Sequence, residues 1–142
     1  MKKIIFTKLI PSLFILLFLF ILIGPRNKET LKFPWDSYTV EEAINLSDDK
    51  LIMIDFYADW WDLCNQLDTD TFSDKDVISY CTKKFINLKI NTDTKYGSKI
   101  YKKYNITSLP TIIFLDGDGN KIKTIQGYHK PANYLKIIKT SF

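Results

Sequence analysis

Residues 35–142 of this 142-residue chain predict an α/β domain, one mixed four-stranded sheet flanked by helices. Three observations carry that prediction. Leu51–Tyr57 is a nearly continuous apolar run that suits a strand buried on both faces, and Phe85–Asn91 reads as a second strand. The turn-rich stretch Asp116-Gly117-Asp118-Gly119-Asn120 joins two further strand-like runs as a hairpin. Between these runs lie segments whose apolar residues recur three and four apart, the spacing of a helix face.

Taken in order, Thr39-Val40-Glu41-Glu42 has the form of a capping box and opens a short helix to about Leu46. Leu51–Tyr57 is interrupted only by Asp55 and is bounded by "SDDK" before and "ADWW" after. Asp62 to Phe72 can be helical, and Ser73-Asp74-Lys75-Asp76 starts a new helix leading to Val77, Ile78 and Cys81. After the second strand, Thr94–Tyr104 is a polar helix that packs through Ile100, Tyr101 and Tyr104. Ser108-Leu109-Pro110 precedes a third strand, Thr111–Leu115, and the hairpin leads to an antiparallel fourth, Lys121–Gln126. Pro131 suits the first turn of a closing helix with Tyr134, Leu135 and Ile138 inward. A βαβ unit followed by a ββα unit forms one sheet with helices on both faces.

Charge is unevenly spread. Residues 1–35 carry six Lys/Arg and one acid, whereas residues 36–142 carry 14 Lys against 15 Asp/Glu. The domain therefore shows no basic stripe, and nucleic acid is excluded as an expected partner. Residues 4–23 form an almost unbroken apolar run, roughly 30 Å as a helix and enough to span a bilayer. The expectation is an uncleaved anchor at 1–23, a tether at 24–34 and the domain at 35–142. The rival, a cleaved signal, wants small residues at the cut, where Leu22-Ile23-Gly24 is followed by Pro25. Lys2, Lys3 and Lys8 before the run match Arg26, Lys28 and Lys32 after it, so loop charge barely orients it. A short basic leader ordinarily stays cytoplasmic, which places a single-pass protein in the cell membrane with its domain on the extracytoplasmic (periplasmic) side. Protein partners near the membrane follow as the expectation.

Four stretches, "DFYADWWDLC" (55–64), "TFSDKDV" (71–77), "YNITSLPTIIFLDGDGNKI" (104–122) and "GYHKPANYLKII" (127–138), stand in the order and spacing of a known fold. Over residues 35–142 the chain resembles the thioredoxin fold, in particular the C-terminal thioredoxin-like domain of DsbD-type thiol:disulfide interchange proteins. That resemblance implies a Cys-x-x-Cys motif in which the first cysteine sits at a helix N-terminus and is activated there. Trp61 falls at its first position and Cys64 at its second. It also implies that Asp55 is the buried carboxylate that helps move a proton, with Lys89 beside it. Pro110 then matches a cis-proline loop, and Leu109 the residue that pairs with a substrate's backbone.

Indole has one N–H donor and no lone pair fit to attack a disulfide, so Trp61 cannot serve as the nucleophile. Two readings follow. In one, Trp60, Trp61, Leu109 and Pro110 form a binding surface on a module that does not cycle electrons. The indoles can instead fold back over helix ends, most of all Trp60. In the other, Cys64 alone exchanges with a partner thiol, assisted by Asp55; negative charge at Asp55 and Asp62 opposes it. Cys81 reads as a small buried residue, and only a reversal at Thr71-Phe72-Ser73 would bring it near Cys64. His129 is the only histidine and the cysteines lack paired ligand spacing, so neither a metal nor a cofactor is expected.

Overall fold

The computed structural model describes residues 31–142. The expected anchor and the tether as far as residue 30 lie outside the described residues. Among the described residues no helix is long and apolar enough to cross a membrane.

Helix α1 (Val40–Leu46) begins with the full capping box, Thr39 and Glu42 each satisfying the other's backbone N–H. Strand β1 (Leu51–Tyr57) follows, with Ile52 through Phe56 all buried. Helix α2 (Asp62–Gln66) passes into a π-helical turn, Leu67–Thr71, and α3 (Lys75–Lys84) starts afresh with Asp74 accepting from the N–H groups of Asp76 and Val77. Then come β2 (Phe85–Asn91), α4 (Lys95–Lys103), β3 (Thr111–Leu115), β4 (Lys121–Gln126) and α5 (Pro131–Ser141).

The sheet order is β2-β1-β3-β4, with β1 and β2 parallel and the other two pairings antiparallel. Parallel β1 and β2 are joined by the α2–α3 crossover, as a βαβ unit requires. Side chains alternate across β1. Ile52, Ile54 and Phe56 pack under α1 and α4, while Met53 packs with Phe72, Val77, Cys81 and Tyr134 on the other face. By the same alternation Asp55 belongs to the face covered by α2, α3 and α5.

The helix expected over 62–72 differs in its last turn. The Phe72 N–H donates to the Leu67 carbonyl at 2.9 Å, a five-residue closure. The extra residue seats Leu67, Thr71 and Phe72 inward together, and Thr71 Oγ1 donates to the His129 carbonyl across the fold. Packing also begins earlier than the polar character of the tether implies. Phe33 is buried and, with Trp35, lies against Phe72 at ring separations of 5.0 and 4.8 Å. The Asp36 N–H donates to the Asn87 carbonyl on the outer edge of β2, so residues 33–36 form a docked strap.

Gly97 marks the closest backbone approach. A Cβ there would stand 1.9 Å from the Asn91 carbonyl oxygen. An exposed helical Gly→Ala exchange ordinarily stabilises by about 1 kcal/mol. Gly97→Ala is expected to destabilise instead, by about 1–3 kcal/mol, because backbone must shift. Urea denaturation of the variant checks this, and a raised midpoint would contradict the contact.

Candidate functional site

Five segments meet at one end of the sheet: the 58–61 loop after β1, the start of α2, the π-helical turn, the loop after β2, and the 108–110 loop before β3. Register brings the first and last together. Thr111 opposes Phe56 across the β1–β3 ladder, so Pro110 lies beside the chain leaving β1. The Leu109–Pro110 bond is cis, and the Pro110 carbonyl accepts from the Gly127 N–H at 2.8 Å. Pro110 itself is buried and Leu109 half-buried. Among the described residues, neither the N–H nor the carbonyl of Leu109 has a hydrogen-bond partner.

Asp55 is 1% exposed, and its Oδ1 has no partner. Parallel pairing sets it opposite Lys89, whose Nζ stands 3.6 Å from Oδ2. The same ammonium pairs with Asp68 of the π-helical turn. It also lies over the rings of Tyr57 and Trp35, 4.5 and 5.3 Å from their centroids. Burial pushes the Asp55 carboxyl up to about 7; Lys89 pulls it down and the Asp68 charge pushes it up again.

Cys64 lies in the first turns of α2 and is 2% exposed. Burial raises its thiol above the usual cysteine range; a hydrogen bond with the Ala58 backbone opposes this, and the charge of Asp55 adds to it. Cys81, in α3, is fully buried against Tyr134, and burial holds its thiol up at about 12. Both thiols are free. The chain does turn at Thr71–Asp74, and Cys81 packs into the cluster with Phe72, Val77 and Tyr134.

Around the start of α2 the surface is aromatic. Trp60 is 66% exposed, Trp61 41% and Leu63 41%. The indoles meet edge to face, with centroids 5.6 Å apart. The Trp60 Nε1–H donates to Asp93 Oδ2 at 2.8 Å, in the loop after β2 just before Thr94, the N-cap of α4, while most of the ring stays exposed. Asn91 holds both sides of that junction, donating to Asp59 Oδ2 at 2.9 Å and accepting from the Asp93 N–H at 2.9 Å. Trp61 is the residue before α2 and supplies no side-chain cap to it.

Sequence reasoning missed four participants: Asp68, Asp93, Leu63 and the strap residue Trp35. Asp68 stood in plain view in the acidic Asp68-Thr69-Asp70 run, four residues beyond Cys64 and so on the same helical side. Nothing local marks Trp35 or Asp93, which act across 54 and 33 residues of chain.

Residues 40–141 match the family described as thioredoxin-like domain. The chain belongs to that family. Among curated relatives, the thiol:disulfide interchange protein DsbD of Yersinia pestis (strain Pestoides F) is 30% identical over 95 residues. That match takes in 65% of this chain and 16% of DsbD, so the chain spans only a small part of the relative's length. Solved thioredoxin-like structures share the fold. A thioredoxin from Thermus thermophilus superposes with a TM-score of 0.65 at 23% identity, covering 78% of this chain and 86% of that one. The C-terminal domain of DsbD from Neisseria meningitidis, in its oxidised form, gives 0.60 at 20% identity over 72% and 90%. The chain is thus a thioredoxin-like domain protein with a distant similarity to the C-terminal domain of DsbD.

The buried carboxyl has a thermodynamic signature. Asp55 binds its proton near pH 7 when folded and near 3.8 when unfolded, so its contribution to stability is full below about pH 4. It is lost as pH rises to about 7, at up to about 1.4 kcal/mol per pH unit. The difference between wild type and Asp55→Asn, followed by urea denaturation from pH 4 to 8, is expected to fall with that sign. A flat difference would mean that Asp55 titrates alike in both states.

Proposed function

We propose that this protein is a docking module of a thiol:disulfide system, built on a thioredoxin-like domain whose motif has become Trp-x-x-Cys. In this reading Trp61 occupies the position of the attacking cysteine and Cys64 that of the resolving one. The observation that carries it is the inversion of the two at the surface. The exposed side chain at the first position is an indole, and the only sulfur of the motif is buried within α2 with its thiol pKa raised. Trp60, Trp61 and Leu63 offer apolar area, and the free backbone of Leu109 beside Pro110 offers one N–H and one carbonyl to an extended chain.

The similarity to DsbD supports envelope proteins as partners, and the apolar run at 4–23 supports a single membrane anchor with the domain on the extracytoplasmic side. The second reading, exchange through Cys64 alone, has the preserved Asp55–Lys89 pair in its favour. Burial of the sulfur and the carboxylates around it weigh against a stable thiolate.

Alkylation decides between the readings. In a Cys81→Ser background, Cys64 in the folded chain is expected to label far more slowly than a free thiol, with a midpoint pH above the ordinary value of about 8.5. Fast labelling at neutral pH, read by peptide mass, would establish the exchange reading instead.

A complementary gain-of-function test uses the preserved surroundings. Trp61→Cys restores two sulfurs at the motif spacing and is expected to confer insulin reduction in the presence of dithiothreitol. An unchanged rate from a variant with a native circular-dichroism spectrum would show that the site has diverged at more than this residue.

A further inference from the structure

The aromatic surface has a charge of its own. Asp59 and Asp62 flank the two indoles in sequence, and Asp93 grips Trp60 from the neighbouring loop. All three carboxylates are exposed, and among the described residues no Lys or Arg forms an ion pair with any of them. Asp59 and Asp93 are held by neutral donors, the Asn91 amide and the Trp60 indole, which fix their place and leave their charge uncancelled. Trp60, Trp61, Asp62 and Leu63 together line a shallow depression. Exposed apolar area inside a rim of like charge is costly in isolation and complementary to one class of ligand.

We infer that the occupant of this surface is a basic, extended segment of a partner protein, whose Arg or Lys side chains stack on Trp60 and Trp61 within the carboxylate rim of Asp59, Asp62 and Asp93. This rests on the docking reading above and names the partner's chemistry. A guanidinium offers a flat cationic face to indole and N–H donors to carboxylates, so one side chain answers both features of the site. The fixed positions of Trp60 and Asp59 lower the ordering cost of binding. Two other occupants are disfavoured by the same charge. An anionic lipid surface attracts basic patches and is repelled by this one. A second copy of the chain, meeting by a twofold axis, would set acid against acid.

The test uses the full chain in nanodiscs of phosphatidylcholine and three decapeptides with blocked ends. The first is Gly-Ser-Leu-Arg-Val-Arg-Leu-Arg-Ser-Gly; the others carry Gln or Glu at each Arg. Calorimetric titration is expected to show the Arg peptide binding about tenfold or more tighter than the Gln peptide at low salt, and the Glu peptide weaker still. The advantage shrinks as salt rises to about 0.3 M. The double variant Asp59→Asn/Asp62→Asn reduces the Arg preference by about threefold or more, Asp93 being left in place, and retains the Gln affinity, whereas Trp61→Ala weakens both peptides. Equal affinities for the three peptides, an Arg peptide that does not bind, or an Arg preference untouched by the double variant would each overturn the inference. A blue shift of tryptophan fluorescence on adding phosphatidylglycerol vesicles, lost in Trp61→Ala, would overturn it in favour of a membrane. If Trp61→Ala leaves every affinity unchanged, the docking reading falls as well.

Discussion

One ammonium group holds this end of the molecule together. Lys89 Nζ reaches Asp55 on β1, pairs with Asp68 on the π-helical turn, and lies over Tyr57 and over Trp35 of the strap. Four chain segments remote in sequence thus share a single charge. Asp55 cannot stay ionised at 1% exposure without a cation, and the parallel register that sets it opposite Lys89 supplies one. A single cation facing two carboxylates leaves one short of compensation. The buried Asp55 is the one that yields, with its pKa raised to about 7 and one oxygen unpartnered, while Asp68 is partly exposed and pairs directly with Lys89.

That imbalance reaches the sulfur. Helix N-termini favour thiolates, but α2 runs only five residues before the π-helical turn, its N-cap residue has no side-chain cap, and Asp62 opens its first turn. Against this weakened dipole stand the burial of Cys64 and the nearby charges of Asp55 and Asp68. Lys89 opposes them, yet it is already divided between two carboxylates. The net direction is toward thiol. The charges around the buried carboxyl thus act on a cysteine that is itself almost wholly buried, and they favour its protonated form.

Much of the scaffold was legible because its signals are local. The capping box at Thr39 and Glu42, the N-cap at Asp74, Pro131 at the head of α5 and the Asp116–Asn120 turn each act within a few residues. The lone acid in Leu51–Tyr57 was legible only in part. Its isolation in an apolar run left a buried carboxylate and a hydrogen-bonded strand-end acid as equal readings, and the parallel register that buries it opposite Lys89 is not a local signal. The π-helical turn was not legible, because its five-residue closure depends on Leu67 and Phe72 being seated in the core at once. Nor was the strap: Phe33 and Trp35 follow a polar stretch, and only Phe72, far along the chain, shows why they pack. At the candidate site, Trp60 shows the limit most clearly. A tryptophan in a loop is ordinarily drawn inward by its apolar area, and the acceptor that holds it outward is Asp93, 33 residues away.

Trp60 and Trp61 also explain why the surface around the start of α2 is built rather than merely exposed. Two indoles left to solvent would be free to collapse onto apolar neighbours, burying ring area wherever their N–H groups still found an acceptor. Here the Trp60 N–H is committed to Asp93, Asp93 is oriented through Asn91, and Asn91 also fixes Asp59. The chain of bonds runs from the loop after β1 to the loop after β2, so the patch inherits the rigidity of the parallel strand pair beneath it. The edge-to-face contact passes that constraint on to Trp61. A surface prepared in this way loses little entropy when a partner covers it, which is the property a docking site needs and a reactive thiol does not.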